Sequence, residues 1–356
     1  MVNSDQLSIL YIAYPLLTVT PESAGGAEQM LLAVERELAA AGHQTTVAAS
    51  AGSQVNGRLL VTGLPANDAD RYESREREHN SYILEYLNKR RAEFDLIHDK
   101  SGSFFRHAAE CPLPALATLH LPRTFYREEW FRNLPPNLRF NCVSQSQAST
   151  FADLPDMPAV VENGIAVEDF PFTTAKDDYL LWLGRICEEK APHLAIAAAQ
   201  TAGLPLVIAG QVYPFRYHHE YFDREIKPHL VEGGRVRFID TPQQAQKLEL
   251  LRHAPALLLT STVAETSSLV AMEAMACGTP VVAFRRGALP DIVADGETGI
   301  LVDTLDEMVE AINAVLRISP RACRDRVERF FTAKRMARDY EELYCKVMAA
   351  TRRQAA

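Results

Sequence analysis

The feature that most constrains the fold is a repeated alternation of short apolar runs with segments of helix length. Apolar runs that are separated by helices are typical of parallel strands buried on both faces of a sheet. The predicted strands are 7–14, 45–50, 94–99, 115–120 and 141–146 in the first half, and 179–185, 205–210, 235–240, 256–261 and 280–284 in the second. The pattern therefore predicts an α/β protein with two doubly wound parallel sheets.

The periodicity stops at residues 161–178, where turn formers and acidic residues predict a linker between two domains. A chain of 356 residues has the length expected for two domains. An amphipathic helix is predicted over 27–42, ending at Gly42. The last helical segment, about 321–349, is rich in Arg and Lys, which favours a solvated helix face over a membrane site.

Composition narrows the functional class. The formal net charge of −9 argues against a nucleic-acid-binding protein that works through bulk electrostatics. The six cysteines form no CxxC pair and no His/Cys cluster at metal-ligand spacing, which predicts reduced thiols in a cytoplasmic protein. The apolar run LSILYIAYPLL lacks the flanking features of a signal peptide and is too short to span a bilayer, so we expect at most peripheral membrane contact.

Two glutamates in AETSSLVAMEAMACGTPVVAF (264–284) flank the start of a predicted helix. Glu265 precedes a hydroxyl-rich turn ending at Ser268, and Glu273 lies within the helix that follows. Helix N-termini bind anions, and ionised carboxylates accept hydrogen bonds from vicinal hydroxyls. The eight-residue spacing spans about 12 Å along a helix, roughly the reach from a sugar across a diphosphate to a ribose. The alternative is a capping acid and a buried structural glutamate.

Two cations follow the first strand of the second half, in LLWLGRICEEKAPHLAIAAAQ (180–200). Gly184 allows close backbone approach, and Arg185 and Lys190 supply the planar fork and point charge expected around a phosphate. Alternatively, the neighbouring residues Glu188 and Glu189 neutralise both cations as surface ion pairs.

Three residues of the first half are weaker candidates. Gly25 and Gly26 lie between the first strand and the first helix, but they do not form the GxGxxG dinucleotide fingerprint. His120 ends the strand at 115–120, where it is either a structural residue or a catalytic one.

The order of these motifs resembles the retaining glycosyltransferases of family 4, the group 1 glycosyltransferases with the GT-B fold. The segments that carry the resemblance are AGGAEQMLLAVERELAAAGHQTTVAAS, TLHLPR, ENGIAVEDF, LGRICEEK, ETSSLVAMEAMACGTPVVAFRRGALPDIVADGETGILV and FTAKRMARDYEELY. The resemblance implies two Rossmann-like domains that face each other across a deep cleft. Residues 1–165 would form the acceptor domain and 175–335 the donor domain, with a C-terminal helix at about 335–350 packing back on the first.

The resemblance also implies roles for individual residues. Glu265 would contact the hydroxyls of the donor sugar, and Glu273 the ribose of the nucleotide. Arg185 and Lys190 would hold the diphosphate. The implied assisting groups are the backbone amides near Ser268, Leu269 and Val270.

In the first domain, the resemblance places Gly25 and Gly26 beside the diphosphate and acceptor, and His120 near the anomeric centre. One motif departs from the family pattern: the usual E-x-F-G is replaced by Glu265-Thr266-Ser267-Ser268. This departure bears on how closely the backbone approaches the sugar, and hence on which sugar fits.

The expected activity is retaining transfer of a hexosyl group from a nucleotide diphosphate sugar of the UDP-sugar or GDP-mannose type. The acceptor is unidentified and could be a saccharide, a glycolipid or a natural product. The nucleotide sugar is a substrate, and no metal or other cofactor is expected. The alternatives are a nucleotide-sugar 2-epimerase and a degenerate nucleotide-sugar-binding protein; the missing glycine fingerprint disfavours an NAD-dependent dehydrogenase. The oligomeric state stays open.

Overall fold

The computed structural model describes residues 6–21, 23, 25–67, 69–213 and 215–355. These residues divide into two compact units. The first unit extends to Gly164 and resumes at Ala333, and the second is Ile165–Thr332. Residues 165–178, which the sequence pattern assigned to the linker, therefore belong to the second unit.

Among the described residues, the first unit contains a seven-stranded parallel sheet in the order β3-β2-β1-β4-β5-β6-β7. Its strands are β1 (Ser8–Ile12), β2 (Gln44–Ala49), β3 (Arg58–Val61), β4 (Leu96–Asp99), β5 (Ala115–Leu119), β6 (Leu138–Cys142) and β7 (Ala159–Val160). The helices before the second unit are α1 (Gly26–Ala40), α2 (Ala69–Arg90) and α3 (Gln145–Ser149). The strand order reverses between β1 and β4, as in dinucleotide-binding Rossmann folds.

The C-terminal helix Ala333–Ala355 belongs to this first unit and packs against α1 and β5. Its Tyr344 hydroxyl lies 3.1 Å from the Tyr11 hydroxyl and 2.7 Å from Nδ1 of the buried His98. The basic segment predicted as one helix is two, because α10 (Pro320–Phe330) ends before the C-terminal helix begins.

The second unit repeats the same strand order. Among the described residues its parallel sheet has six strands, in the order β10-β9-β8-β11-β12-β13. The strands are β8 (Leu180–Leu183), β9 (Leu206–Gly210), β10 (Val236–Asp240), β11 (Leu257–Leu259), β12 (Val281–Phe284) and β13 (Gly299–Val302). The helices besides α10 are α4 (Pro192–Ala202), α5 (Arg216–Tyr221), α6 (Gln244–His253), α7 (Leu269–Ala276), α8 (Leu289–Ile292) and α9 (Leu305–Val315).

The predicted fold class, an α/β protein with two Rossmann-like domains, is confirmed. The predicted strand at 141–146 is partly wrong. The strand is β6, which ends at Cys142, and Ser144 instead caps α3 by accepting a hydrogen bond from the amide of Gln147 at 3.2 Å. Hydroxyl side chains are favoured as N-cap residues because they accept a hydrogen bond from a free amide at the start of a helix. The chain therefore enters α3 here and does not continue the strand.

Candidate functional site

The predicted site residues of the second unit lie where its strand order reverses, between β8 and β11. Parallel sheets of this order bind ligands beyond the carboxyl ends of the strands at that point. The loop after β8 carries Gly184, Arg185 and Lys190, and the loop after β11 carries Glu265. The topology therefore brings two distant sequence segments to one edge of the sheet.

Hydroxyl side chains at the end of β11 join these two loops. Thr260 Oγ1 accepts a hydrogen bond from Nε1 of the buried Trp182 at 3.0 Å, and it donates to the carbonyl of Ala191 at 2.8 Å. The Thr262 amide and the Ser261 hydroxyl donate to the Glu189 carbonyl at 2.9 and 3.2 Å. These bonds fix the loop after β8 against the loop after β11.

Gly184 directly follows β8, at a point of close backbone packing. The Cα of Gly210, at the end of the neighbouring β9, approaches so closely that a Cβ there would overlap the Gly184 carbonyl. The two glycines therefore allow adjacent strand ends to lie against each other without side chains.

Lys190 and Glu265 form an ion pair across the two loops. The Lys190 Nζ lies 2.7 Å from Glu265 Oε1, and the Glu265 side chain is only 8% exposed. Carboxylate oxygens accept hydrogen bonds from hydroxyl groups, so this ion-paired side chain can also accept hydroxyl donors. The structure thus pairs Lys190 with Glu265 and not with Glu188 or Glu189.

Arg185 forms an ion pair with Glu189, which was the alternative left open in the sequence analysis. Its Nη2 lies 3.1 Å from Glu189 Oε1, and its guanidinium lies 5.5 Å from the centre of the Tyr213 ring. The Arg185 side chain is 39% exposed, so it remains accessible to an anion at the sheet edge.

The helix α7 begins beside Glu265, with Ser268 as its N-cap residue. Ser268 is buried, and its hydroxyl makes no capping hydrogen bond. The first amides of a helix, here those of Leu269 and Val270, have no partner within the helix and carry its positive dipole end. This terminus is the predicted anion site.

Glu273 is buried within α7 and is only partly satisfied. Its Oε1 accepts from Lys247 Nζ on α6 at 2.7 Å, but its buried Oε2 has no hydrogen-bond partner among the described residues. Buried carboxylate oxygens without a donor are unfavourable.

Glu35 in the first unit shows what a purely structural buried glutamate looks like in this chain. Its two oxygens accept from Thr45 Oγ1 at 2.6 Å, Gly57 N at 2.7 Å, and Asn56 N and Nδ2 at 3.0 and 2.8 Å. Glu273 lacks such a shell, and it can accept a further donor.

Gly287 positions Glu265 through the backbone. It has φ +56°, and a Cβ there would overlap the Glu265 backbone oxygen and nitrogen. The amide of the next residue, Ala288, donates to the Glu265 carbonyl at 2.8 Å. Sequence reasoning missed Gly287 and Lys247 because both act through packing between distant segments.

The predicted residues of the first unit lie after β1 and β5. Gly25 is the N-cap residue of α1, and Gly26 is its first residue. The absence of a Cβ on Gly25 leaves room for the carboxylate of Glu28, which folds back to that position. Burial raises the pKa of Glu28, against the effect of its own backbone amide.

His120 directly follows β5 and is largely enclosed. Burial, reinforced by the charge of Lys100, holds the pKa of its imidazole well below the usual range. His120 is therefore neutral at neutral pH. The predicted site residues divide between the two units. The second unit contains Gly184, Arg185, Lys190, Glu265, Ser268, Leu269, Val270 and Glu273, and the first contains Gly25, Gly26 and His120.

Two family models match consecutive parts of the chain. The model described as glycosyl transferases group 1 matches residues 168–329, and the model described as Glycosyltransferase Family 4 matches residues 24–169. In the described part of the chain, no helix is long and apolar enough to cross a membrane.

Among curated proteins, the chain is similar to D-inositol 3-phosphate glycosyltransferases. It is 37% identical over 144 residues to the Mycolicibacterium smegmatis protein, covering 40% of this chain and 33% of that protein. It is 36% identical over 140 residues to the Mycobacterium tuberculosis protein, covering 38% and 29%. The matched region thus spans about a third of the length of these relatives.

Solved structures share the fold over nearly the whole chain. A sucrose-phosphate synthase from Thermosynechococcus elongatus matches with a TM-score of 0.81 at 21% identity, covering 97% of this chain and all (100%) of that one. AviGT4, a glycosyltransferase involved in avilamycin A biosynthesis, matches with a TM-score of 0.72 at 23% identity, covering 96% and 98%. Anabaena HepE in complex with UDP and glucose matches with a TM-score of 0.74 at 17% identity, covering 96% and 100%.

Proposed function

The chain belongs to the group 1 glycosyltransferases, and from this membership and the site geometry we propose that it transfers a hexosyl group from a nucleotide diphosphate sugar, with retention at the anomeric carbon. The observation that carries the proposal is the arrangement around α7. An ion-paired carboxylate precedes the helix N-terminus, and a buried carboxylate follows it, one oxygen of which has no partner in the described part of the chain.

Each part of this arrangement suits one part of the donor. The Glu265 carboxylate, ion-paired with Lys190, accepts hydrogen bonds from sugar hydroxyls. The amides that begin α7 bind the diphosphate. Glu273 Oε2 accepts from a ribose hydroxyl, which would supply the donor that this buried oxygen lacks.

The transfer step breaks the bond between the anomeric carbon and the diphosphate. Arg185, Lys190 and the N-terminus of α7 stabilise the negative charge that develops on the leaving diphosphate, an effect worth several kcal/mol. Because these groups supply the positive charge, the proposed reaction requires no metal. The acceptor attacks from the face that the diphosphate leaves, and a donor phosphate oxygen takes its proton, so configuration is retained without a protein nucleophile.

In this proposal the neutral imidazole of His120 lies near the anomeric centre, and Gly25 and Gly26 border the diphosphate. The donor is of the UDP-sugar or GDP-mannose type, and HepE, whose structure holds UDP and glucose, supports a UDP-sugar. The curated relatives cover only part of the chain, so their inositol phosphate acceptor is not carried over. The proteins named above do not favour the 2-epimerase. A cytoplasmic location stays a prediction.

A thermal-shift panel of UDP, GDP, ADP and TDP and their common sugar conjugates tests the donor site, with EDTA present throughout. A nucleotide at about 100 times its dissociation constant should stabilise its unit by about 2.7 kcal/mol. The selective nucleotide should lose this effect in Glu273→Gln but not in Glu188→Gln, because Glu188 is an exposed carboxylate of the loop after β8.

The selected donor is then incubated without acceptor, so that water replaces the acceptor and yields nucleotide diphosphate and free sugar. NMR of the sugar at early times should show the anomer of the donor. A sugar epimerised at C2 would instead indicate the epimerase. If no nucleotide of the panel shifts the melting temperature of the folded protein, or if a shift requires added metal, the proposed metal-independent donor site is contradicted.

A further inference from the structure

Three potential metal ligands converge at the loop after β8, which supplies two of them and also carries Arg185 and Lys190. Cys187 Sγ, a Glu189 carboxylate oxygen and a ring nitrogen of His218 all lie within 4.8 Å of one another. Cys187 and His218 are buried, and Glu189 is partly exposed. The sequence analysis did not predict this cluster, because His218 lies in α5, far along the chain from the other two.

His218 provides the second observation. The residue is fully buried, at 0% exposure, yet neither of its ring nitrogens has a hydrogen-bond partner among the described residues. The rings of Tyr213, Phe215 and Tyr217 surround it, with centroids 6.0, 5.4 and 4.2 Å away. A buried imidazole without partners is unfavourable, and a metal ion beside Cys187 would satisfy one nitrogen.

We propose that Cys187, Glu189 and His218 form a binding site for a borderline-soft divalent transition metal ion, zinc by chemical preference. Thiolate, imidazole and carboxylate are the three ligand types of protein zinc sites, and three protein ligands leave the fourth tetrahedral position for water. The thiolate and carboxylate balance the charge of the ion. Tetrahedral zinc needs ligand atoms about 3.3–3.6 Å apart, so side-chain rotations that move atoms by about 1 Å suffice.

The site is tied to the donor loop through Glu189, whose Oε1 lies 3.1 Å from Arg185 Nη2. A metal ion on Glu189 competes with Arg185 for this carboxylate. Removing the guanidinium should therefore raise metal affinity, whereas removing a ligand lowers it. The proposed transfer reaction itself needs no metal, so it can be measured with the metal site empty.

The test titrates Zn²⁺ into the full chain in a non-thiol reductant, against a chromophoric chelator. Cys187→Ser and His218→Gln should each weaken binding by more than the 10–100-fold that loss of an outer-sphere partner costs. Arg185→Ala should strengthen it. The matched controls are Cys345→Ser and His219→Gln, because these residues are exposed and lie outside the cluster.

Co²⁺ gives a readout that does not depend on how the variants fold. The wild-type complex should show thiolate-to-cobalt absorption in the near ultraviolet and the intense visible bands of a tetrahedral site. Absence of the thiolate band overturns the proposal, and so does Zn²⁺ binding that the control substitutions weaken as much as Cys187→Ser and His218→Gln. Donor-induced stabilisation in EDTA is measured separately, so failure here leaves the proposed function standing.

Discussion

The two units share one strand order but hold their buried ionisable groups in opposite ways. In the second unit, two carboxylates each pair with a lysine from another segment, Glu265 with Lys190 and Glu273 with Lys247, both at 2.7 Å. In the first unit, Lys100 follows β4 at 0% exposure and forms no ion pair with any described residue. Its Nζ lies 4.6 Å from the centre of the Tyr340 ring and 3.4 Å from that hydroxyl.

The buried basic groups of the first unit and the buried carboxylates of the second therefore lie in different electrostatic surroundings. Burial lowers the pKa of Lys100, and burial together with the neighbouring charge of Lys100 lowers the pKa of His98 and of His120, which favours neutral imidazoles in the first unit. The two carboxylates of the second unit instead lie beside lysine cations, at 2.7 Å in both pairs. The second unit therefore presents ion-paired carboxylates around a helix N-terminus, as the proposed donor site requires. In the first unit, His98, Thr118 and Asn141 of the sheet contact Tyr340 and Tyr344 of the C-terminal helix.

The largest expected effect tests whether the ion pairs of the second unit are structural as well as functional. Lys247→Met leaves the buried Glu273 without its cation and should destabilise this unit by about 3–5 kcal/mol. Adding Glu273→Gln should recover much of that loss, because the uncompensated charge disappears. The chain has two tryptophans, so a Trp130→Phe background leaves Trp182 as the fluorescent reporter of this unit in denaturant titrations. An additive double variant would contradict the pairing.

The next effect concerns the transfer reaction. Glu265→Gln keeps the shape of the side chain but removes the charge, and should lower kcat by about 10²–10³-fold, in the range seen for loss of one preorganised electrostatic contact. The same substitution should shift the unfolding midpoint little, because Lys190 is 31% exposed and can be solvated. Glu188→Gln is the control with near-normal kcat. Near-normal turnover of Glu265→Gln would remove Glu265 from the site.

The fold was predictable where local pattern decides structure. Buried strands such as β1 and β12 are apolar runs, so their position followed from the sequence. The sequence analysis missed β3, an edge strand with the half-exposed pattern RLLV, and β7, which has two residues. It also missed β13, the four-residue edge strand GILV. β3 and β7 contain no buried apolar run, because edge strands face solvent and very short strands carry little periodicity. β13 is apolar and mostly buried, but a run of four residues is too short for its periodicity to distinguish a strand.

The candidate site likewise contains residues with a local sequence signal and residues without one. Arg185, Lys190 and Glu265 were predicted because they lie at fixed offsets from a strand end and a helix start. Lys247 and Gly287 carry no such local signal. The first acts through the contact of α6 with α7, and the second through the approach of its Cα to the Glu265 backbone. Such contacts exist only after the distant segments have packed.

A pH titration tests whether a buried histidine of the first unit stays uncharged in the folded protein. Burial, reinforced by Arg75, lowers the pKa of His79 in α2 to about 3. The unfolded chain binds a proton below about pH 6.5 and the folded unit does not, so stability is present above that pH and is lost as the pH falls towards 3.

The loss from His79 alone should reach about 2–3 kcal/mol at pH 4.5. His79→Asn keeps a polar atom near Thr62 Oγ1, which lies 2.7 Å from Nδ1, but cannot titrate. Hydrogen exchange of the α2 amides at pH 7 and 4.5 measures the difference. If the variant loses as much stability between pH 7 and pH 4.5 as the wild type, His79 is not the group responsible for that loss.

The smallest effect separates backbone strain from the positioning of Glu265. Gly287→Ala and Gly296→Ala both place a side chain at positive φ, +56° and +79°, which costs about 1–2 kcal/mol each. A Cβ on Gly296 meets nothing within 4 Å, whereas one on Gly287 overlaps the Glu265 backbone. The two variants should therefore lose similar stability from the dihedral alone, and the excess in Gly287→Ala measures the steric contact. Only Gly287→Ala should also weaken donor binding in the thermal-shift assay, because only there must the Glu265 backbone move. If both variants bind the donor equally, the backbone contact does not set the position of this carboxylate, and its lysine partner alone orients it.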